Sequence, residues 1–136
     1  MRRLVLACAA IALIGCGGGD STGPVASAEG SWSLQTVAGT ALPYTYVYDA
    51  PSQHRLEVLS DVFDMSSDGT YIETFTTRET QGTTVTTQTA TDAGTWSQSG
   101  KQVTVTFSDG SHLNATITGD EITMNTASGI LLYTRQ

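Results

Sequence analysis

The chain has 136 residues, a formal net charge of −7, two cysteines and two histidines. That length leaves room for one domain near the common size of roughly 100 to 150 residues. The acid excess excludes a phosphate-binding surface, which needs a basic patch, and disfavours adhesion of the protein surface to anionic lipid. Both cysteines, Cys8 and Cys16, lie near the amino terminus, so the rest of the chain must fold on packing alone, without a disulfide.

Met1, Arg2 and Arg3 form a positive start, and Leu4 to Ile14 is an uninterrupted apolar run that closes on Gly15 and Cys16. This is the layout of a secretion signal over residues 1–15. As a helix the apolar run spans about 16 Å, against a hydrocarbon core of about 30 Å, so it is too short for a stable transmembrane anchor. Leu13-Ile14-Gly15-Cys16 resembles the lipobox of bacterial lipoproteins, which implies cleavage before Cys16, lipidation of its thiol and tethering to the membrane. More than one lipid chain makes such attachment stable. Gly17 stands where an aspartate would resemble an inner-membrane retention signal, which favours the outer membrane, on its periplasmic face or at the cell surface. Residues 16–29, rich in Gly, Ser and other small residues, read as a flexible leash.

From Gly30 to Gln136 the sequence alternates β-branched or aromatic residues with polar ones, and turn dipeptides recur about every eight to twelve positions. Strands are predicted near 31–37, 43–48, 54–65, 70–79, 83–90, 93–98, 101–107, 111–118, 121–126 and 129–135, with two of them merging or shortening. Val103, Val105 and Phe107 share one face while Thr104 and Thr106 share the other, and Leu113, Ala115 and Ile117 repeat the period of two. Ser67-Asp68-Gly69, Gln81-Gly82, Ser99-Gly100, Ser108-Asp109-Gly110, Gly119-Asp120 and Ser128-Gly129 supply the reversals. Short successive turns favour an all-β, antiparallel up-and-down meander barrel of about eight to ten strands, with a two-sheet sandwich as the alternative. The run Thr83 to Thr89 offers one hydrophobe and reads as a solvated or rim-side strand.

Gly30-Ser31-Trp32, Arg135 and the meander between them resemble the lipocalin-like, or calycin-type, barrel. The blocks Asp68-Gly69-Thr70-Tyr71, Gly94-Thr95-Trp96 and Gly100-Lys101 resemble those of small bacterial lipocalin-like lipoproteins. The resemblance implies that Gly30, Trp32 and Arg135 plug one end of the barrel, the guanidinium lying over the indole. It also implies a small apolar or amphipathic ligand. The sequence departs from that pattern in the second lipocalin signature, the carboxy-terminal helix and the cysteine pair, and a barrel this short can fill its interior with its own side chains.

Tyr44, Tyr46 and Tyr48 alternate along one predicted strand, so a regular strand places all three on one face. Inward they line a pocket mouth, outward they form an aromatic patch for a partner, and ordinary packing is the plainest account of them. Tyr71 and Phe75 complete the candidate ligand set and share a face with Glu73. Either that face points inward and carries the carboxylate with it, or Ile72 points inward and Glu73 is solvated; the cost of a buried carboxylate favours the second. His54, and His112 beside Ser111 and Asp109, lack catalytic or metal-ligand spacing, and Asp61, Asp64 and Asp68 read as turn residues, not a calcium loop. The expectation is therefore a non-enzymatic protein with no metal or cofactor, anchored through Cys16. Its partner is a small hydrophobic ligand or, alternatively, an envelope protein met by the loops and the tyrosine strand. A lumen open beyond roughly 300 Å³ separates the first from the second.

Overall fold

The structure is a computed structural model that describes residues 24–136; the expected signal, Cys16 and the first part of the leash lie outside them. Ten strands follow in chain order: β1 (Gly30–Val37), β2 (Thr40–Ala41), β3 (Tyr44–Asp49), β4 (His54–Met65), β5 (Thr70–Gln81), β6 (Thr84–Ser99), β7 (Gln102–Thr106), β8 (His112–Thr118), β9 (Glu121–Thr126) and β10 (Gly129–Arg135). All pairings are antiparallel, and from β4 to β10 each strand pairs with the next in sequence. β10 then pairs with β1, and β1 with β4, so eight strands close an up-and-down barrel. The predicted runs 83–90 and 93–98 are one strand, β6, which pairs with β5 without interruption from Thr84 to Thr95. Gly94 sits within it for a steric reason: a Cβ there would collide with the Thr106 carbonyl oxygen and the Tyr71 ring.

The seam between β1 and β4 decides the shape. Gly30 to Ser33 pair with Met65 to Val62, but beyond that point the two strands part. Farther along, β1 pairs with β2 through Thr36 and Ala41, and β4 pairs with β3 through Tyr44 and Val58. One end of the barrel is thus drawn shut and the other spread by the segment from Ala38 to Gln53. On the far side β7 reaches only the last part of β6, from Thr95 to Ser99, leaving the first part of β6 beside β5 alone. That first part is exposed, as its polar composition predicts.

The shut end is filled. Trp32, Phe63, Tyr71 and Tyr133 are almost wholly buried with Val103, Val105, Ile117, Ile122 and Met124. The Phe63 ring lies 5.2 Å from that of Tyr71 and 5.5 Å from that of Tyr133, in the tilted and edge-on arrangements aromatic quadrupoles favour. At the base the Arg135 guanidinium lies over the Trp32 indole, 4.3 Å from the ring centroid. Its Nη1 and Nη2 donate to the carbonyls of Glu29 and Ser27, at 2.7 and 2.6 Å. Gln98 holds the same segment, accepting from the Ala28 amide and donating to the Ala26 carbonyl, and the indole N–H donates to the Ala28 carbonyl at 2.7 Å. The stretch read as leash therefore ends early: Ala28 is fully buried, and residues 26–29 cap the base of the barrel. Gly30, with φ of +129°, turns the chain from cap into strand where a Cβ would meet Arg135 Nη1.

Replacing Arg135 with Ala removes a cation–π contact and two charge-assisted bonds that pin the cap. Urea unfolding should show a loss of about 2 kcal/mol. Unchanged stability would mean that the cap adds nothing to closure.

Candidate functional site: a cavity floored by carboxyl groups

Above the aromatic base, the spread end of the barrel encloses a cavity of about 360 Å³. Its walls are apolar, from Leu34 and Val37 of β1, Tyr44 and Tyr46 of β3, Leu56 and Val58 of β4, Phe75 of β5 and Leu131 of β10. Thr77, Thr126 and Ser128 also line it, and Asp61 is its one ionisable carboxyl.

Three register shifts place these residues, and the one in β1, between Leu34 and Thr36, turns both Leu34 and Val37 to the interior. In β4 the register shifts between Val58 and Ser60, so Leu56 and Val58 face the same interior as Asp61, Phe63 and Met65, although strict alternation would separate them. In β3 it shifts between Thr45 and Val47. Tyr44 pairs with inward Val58, whereas Tyr48 pairs with outward Arg55 and lies against its guanidinium at 5.6 Å. The three tyrosines consequently do not share a face: Tyr44 is half-buried in the wall, Tyr46 stands at the mouth, and Tyr48 belongs to the outer surface. Tyr71, expected in the ligand set, is buried in the filled base and does not line the cavity, whereas Phe75 does.

Glu73 corrects the favoured expectation as well. Ile72 is 55% exposed, and the inward face of β5 carries Tyr71, Glu73 and Phe75. Opposite Glu73 stands Phe63, and Asp61 is opposite Phe75, so the two carboxyl groups occupy adjacent levels of the interior. The Tyr133 hydroxyl donates to Asp61 Oδ2 at 2.7 Å, and Asp61 Oδ1 is buried. Burial first, then the Asp61 charge beside it, pushes the Glu73 carboxyl up to about 8. Burial raises Asp61 too, but the Tyr133 and Glu73 hydrogen bonds oppose that rise. Glu73 therefore keeps its proton near neutral pH, and the Tyr133 hydroxyl favours charge on Asp61. Glu73 also borders a side hollow of about 270 Å³ with Phe75, Ala90, Thr91 and Asp92, under the part of β6 that β7 does not reach.

The remaining candidates are dispersed. His54 bonds Glu79 at 2.9 Å, and His112 opens β8 on the exposed surface. Asp109 accepts from the Ser111 amide, an ordinary turn contact. Asp61 is interior, Asp64 is exposed, and Asp68 caps Thr70, so the three aspartates point to different places, and Asp61 and Asp64, both within β4, are no turn residues. Among the described residues no group of three His, Cys, Asp or Glu side chains could hold a metal ion. On the outer face Arg78 and Arg55 cover Glu57, with Arg78 Nε at 2.9 Å, and the Arg78 hydrogen bond holds that carboxyl below its ordinary range. Sequence reasoning missed Asp61 as a cavity residue; its signal was a carboxylate two positions before the apolar pair Phe63 and Met65.

Compared with protein-family models and with curated proteins, the sequence matches none.

Glu73 binds its proton more tightly folded, at about 8, than at its ordinary value of 4.5. Between those values the unfolded chain has released the proton and the folded chain retains it, so stability falls as pH rises through this window and levels off above it. Asp61, also raised, acts in the same direction. The thermal midpoint should decline between about pH 5 and pH 8, and Glu73→Gln should flatten that decline. A variant whose pH profile runs parallel to the parent would contradict the placement of Glu73.

Proposed function

We propose that the protein is a lipoprotein of the bacterial cell envelope, tethered through Cys16, whose lipocalin-like barrel holds a small apolar or amphipathic molecule at its open end. The observation that carries this reading is the cavity of about 360 Å³ above a filled base. Ligand sites are concave and largely apolar, with a few placed polar groups, and their volumes begin near roughly 300 Å³. The expected tether leads into the cap at the base, so the mouth lies at the barrel's other end. The outer membrane remains the favoured site of anchoring, on the residue after Cys16. A partner surface built on the tyrosine strand is the weaker reading, because the bulge in β3 sends Tyr48 away from Tyr44.

Nile red, an uncharged apolar dye, tests the cavity directly. It should bind with a blue-shifted emission, and Val58→Trp, which fills the cavity from its wall, should weaken binding by about tenfold or more, equivalent to about 1.4 kcal/mol. Equal binding by parent and variant, with both folded by circular dichroism, would place the dye elsewhere and remove the support for a ligand site.

A further inference from the structure

We propose that the uncovered edge of β6, from Thr84 to Ala90, pairs antiparallel with the same edge of a second copy of this chain, about a twofold axis at Thr87. The inference concerns an interaction surface and is independent of the cavity.

The backbone identifies the edge. Among the described residues β7 pairs with β6 only from Thr95 onward, so no strand lies beside β6 from Thr84 to Gly94 on the side away from β5. The Trp96 amide donates to the Gly69 carbonyl at 2.8 Å, and an unbroken register with β5 carries that alternation along the strand. Even-numbered residues therefore bond β5, while Val85, Thr87, Thr89 and Thr91 turn N–H and C=O outward. Natural proteins protect such edges with charges, proline, bulges or short length. β2 and β3 follow that rule: β2 has 2 residues, and β3 has 6 with a bulge after Thr45. Residues 83–91 have no charge, proline or glycine, and Thr84 to Thr91 are exposed throughout.

Two features select a second copy as the occupant. The first is charge. A chain of net charge −7 repels itself over most of its surface, but the segment from Thr84 to Ala90 is uncharged. Behind it on β5, Arg78 stands opposite Thr87 and is held by Glu57 at 2.9 Å. Three strand spacings would separate the two copies of Arg78, about 14 Å, which exceeds the screening length of about 8 Å. The second feature is fit. Ser108 donates to Asp92 at 2.7 Å, so the turn after β7 stands beside the edge there and limits what can pair. Two copies centred on Thr87 overlap from Thr84 to Ala90, each hairpin tip ending where the other copy's Ser108 turn begins. Val85 then faces Thr89 of the second copy, and Thr87 faces its own equivalent. Threonines already pair across this sheet, Thr76 with Thr89 at 3.1 Å. Twofold pairing uses up both edges and so stops at a dimer. One strand pair falls below the roughly 1,000 Å² of a stable complex, so the dimer is a weak one.

Cysteine cross-linking of the full chain in intact bacterial cells tests both partner and register. Facing residues of a hydrogen-bonded antiparallel pair have Cα atoms about 5.5 Å apart, within disulfide reach. Under mild oxidant Thr87→Cys should therefore form a covalent homodimer. Val85→Cys and Thr89→Cys each lie about 13 Å from their own equivalents and should stay at background. Ile130→Cys, exposed on β10, and the parent chain set that background. Adding Val85→Lys and Thr89→Lys to Thr87→Cys puts like charges face to face and should cut the yield about fivefold, and Val85→Lys with Thr89→Glu should restore it. A yield at position 87 no higher than at 130 overturns the proposal. Equal yields at 85, 87 and 89 also overturn it, because they report collision without register. Cross-linking at position 87 to a protein of different mass overturns the second copy as occupant. Should Thr87→Cys fail to accumulate, the double variant Val85→Cys with Thr89→Cys replaces it, since those positions face each other and must cross-link.

Discussion

Everything at the open end depends on how little of β1 touches β4. The closing pairing runs only from Gly30 to Ser33, and the chain secures it from below with the indole of Trp32, the guanidinium of Arg135 and the capping residues 26–29. A longer seam would bring Leu34 and Val37 against Leu56 and Val58 and leave no lumen between them. Instead β2 and β3 take up the free edges of β1 and β4, which keeps backbone groups paired while the wall spreads. One short pairing thus produces a tight base and a hollow top from the same meander.

The interior is layered along the barrel axis as a consequence. Trp32 and the Phe63, Tyr71, Tyr133 cluster fill the base, and Asp61 and Glu73 form a polar level above them. The apolar wall encloses the space beyond. Placing two carboxyl groups at that level is unfavourable unless they divide one proton and one negative charge, and the Tyr133 hydroxyl favours charge on Asp61. Such an arrangement costs stability in a domain that has no disulfide to compensate.

The strand pattern was readable because its physics is local. Alternation in Val103, Val105, Ala115, Ile117, Ile122 and Met124 locates both faces of β7, β8 and β9, and the Gly and Asp turns locate their ends. The same period-two reading failed wherever a bulge intervened. In β4 it separates Leu56 and Val58 from Phe63 and Met65, which the bulge near Leu59 reunites; in β3 it groups three tyrosines that the bulge near Tyr46 divides. Glu73 was misplaced for a different reason. A solvated carboxylate beats a buried one when each residue is judged alone, and only the three-dimensional partnership with Asp61 and Tyr133 reverses that judgement. The docking of residues 26–29 likewise escaped a reading of composition, since small residues suit a leash and a tight backbone cap equally well.

The claim on which this account turns is that Asp61 and Glu73 share one proton at the floor of the cavity. A carboxyl-carbon NMR titration of the protein, with the two resonances assigned by Asp61→Asn and Glu73→Gln, tests it most directly. The account predicts that Glu73 releases its proton near pH 8 and that Asp61 titrates above its ordinary range. Two independent titrations in the ordinary carboxylate range, near pH 4, would show both groups to be solvated and would contradict it.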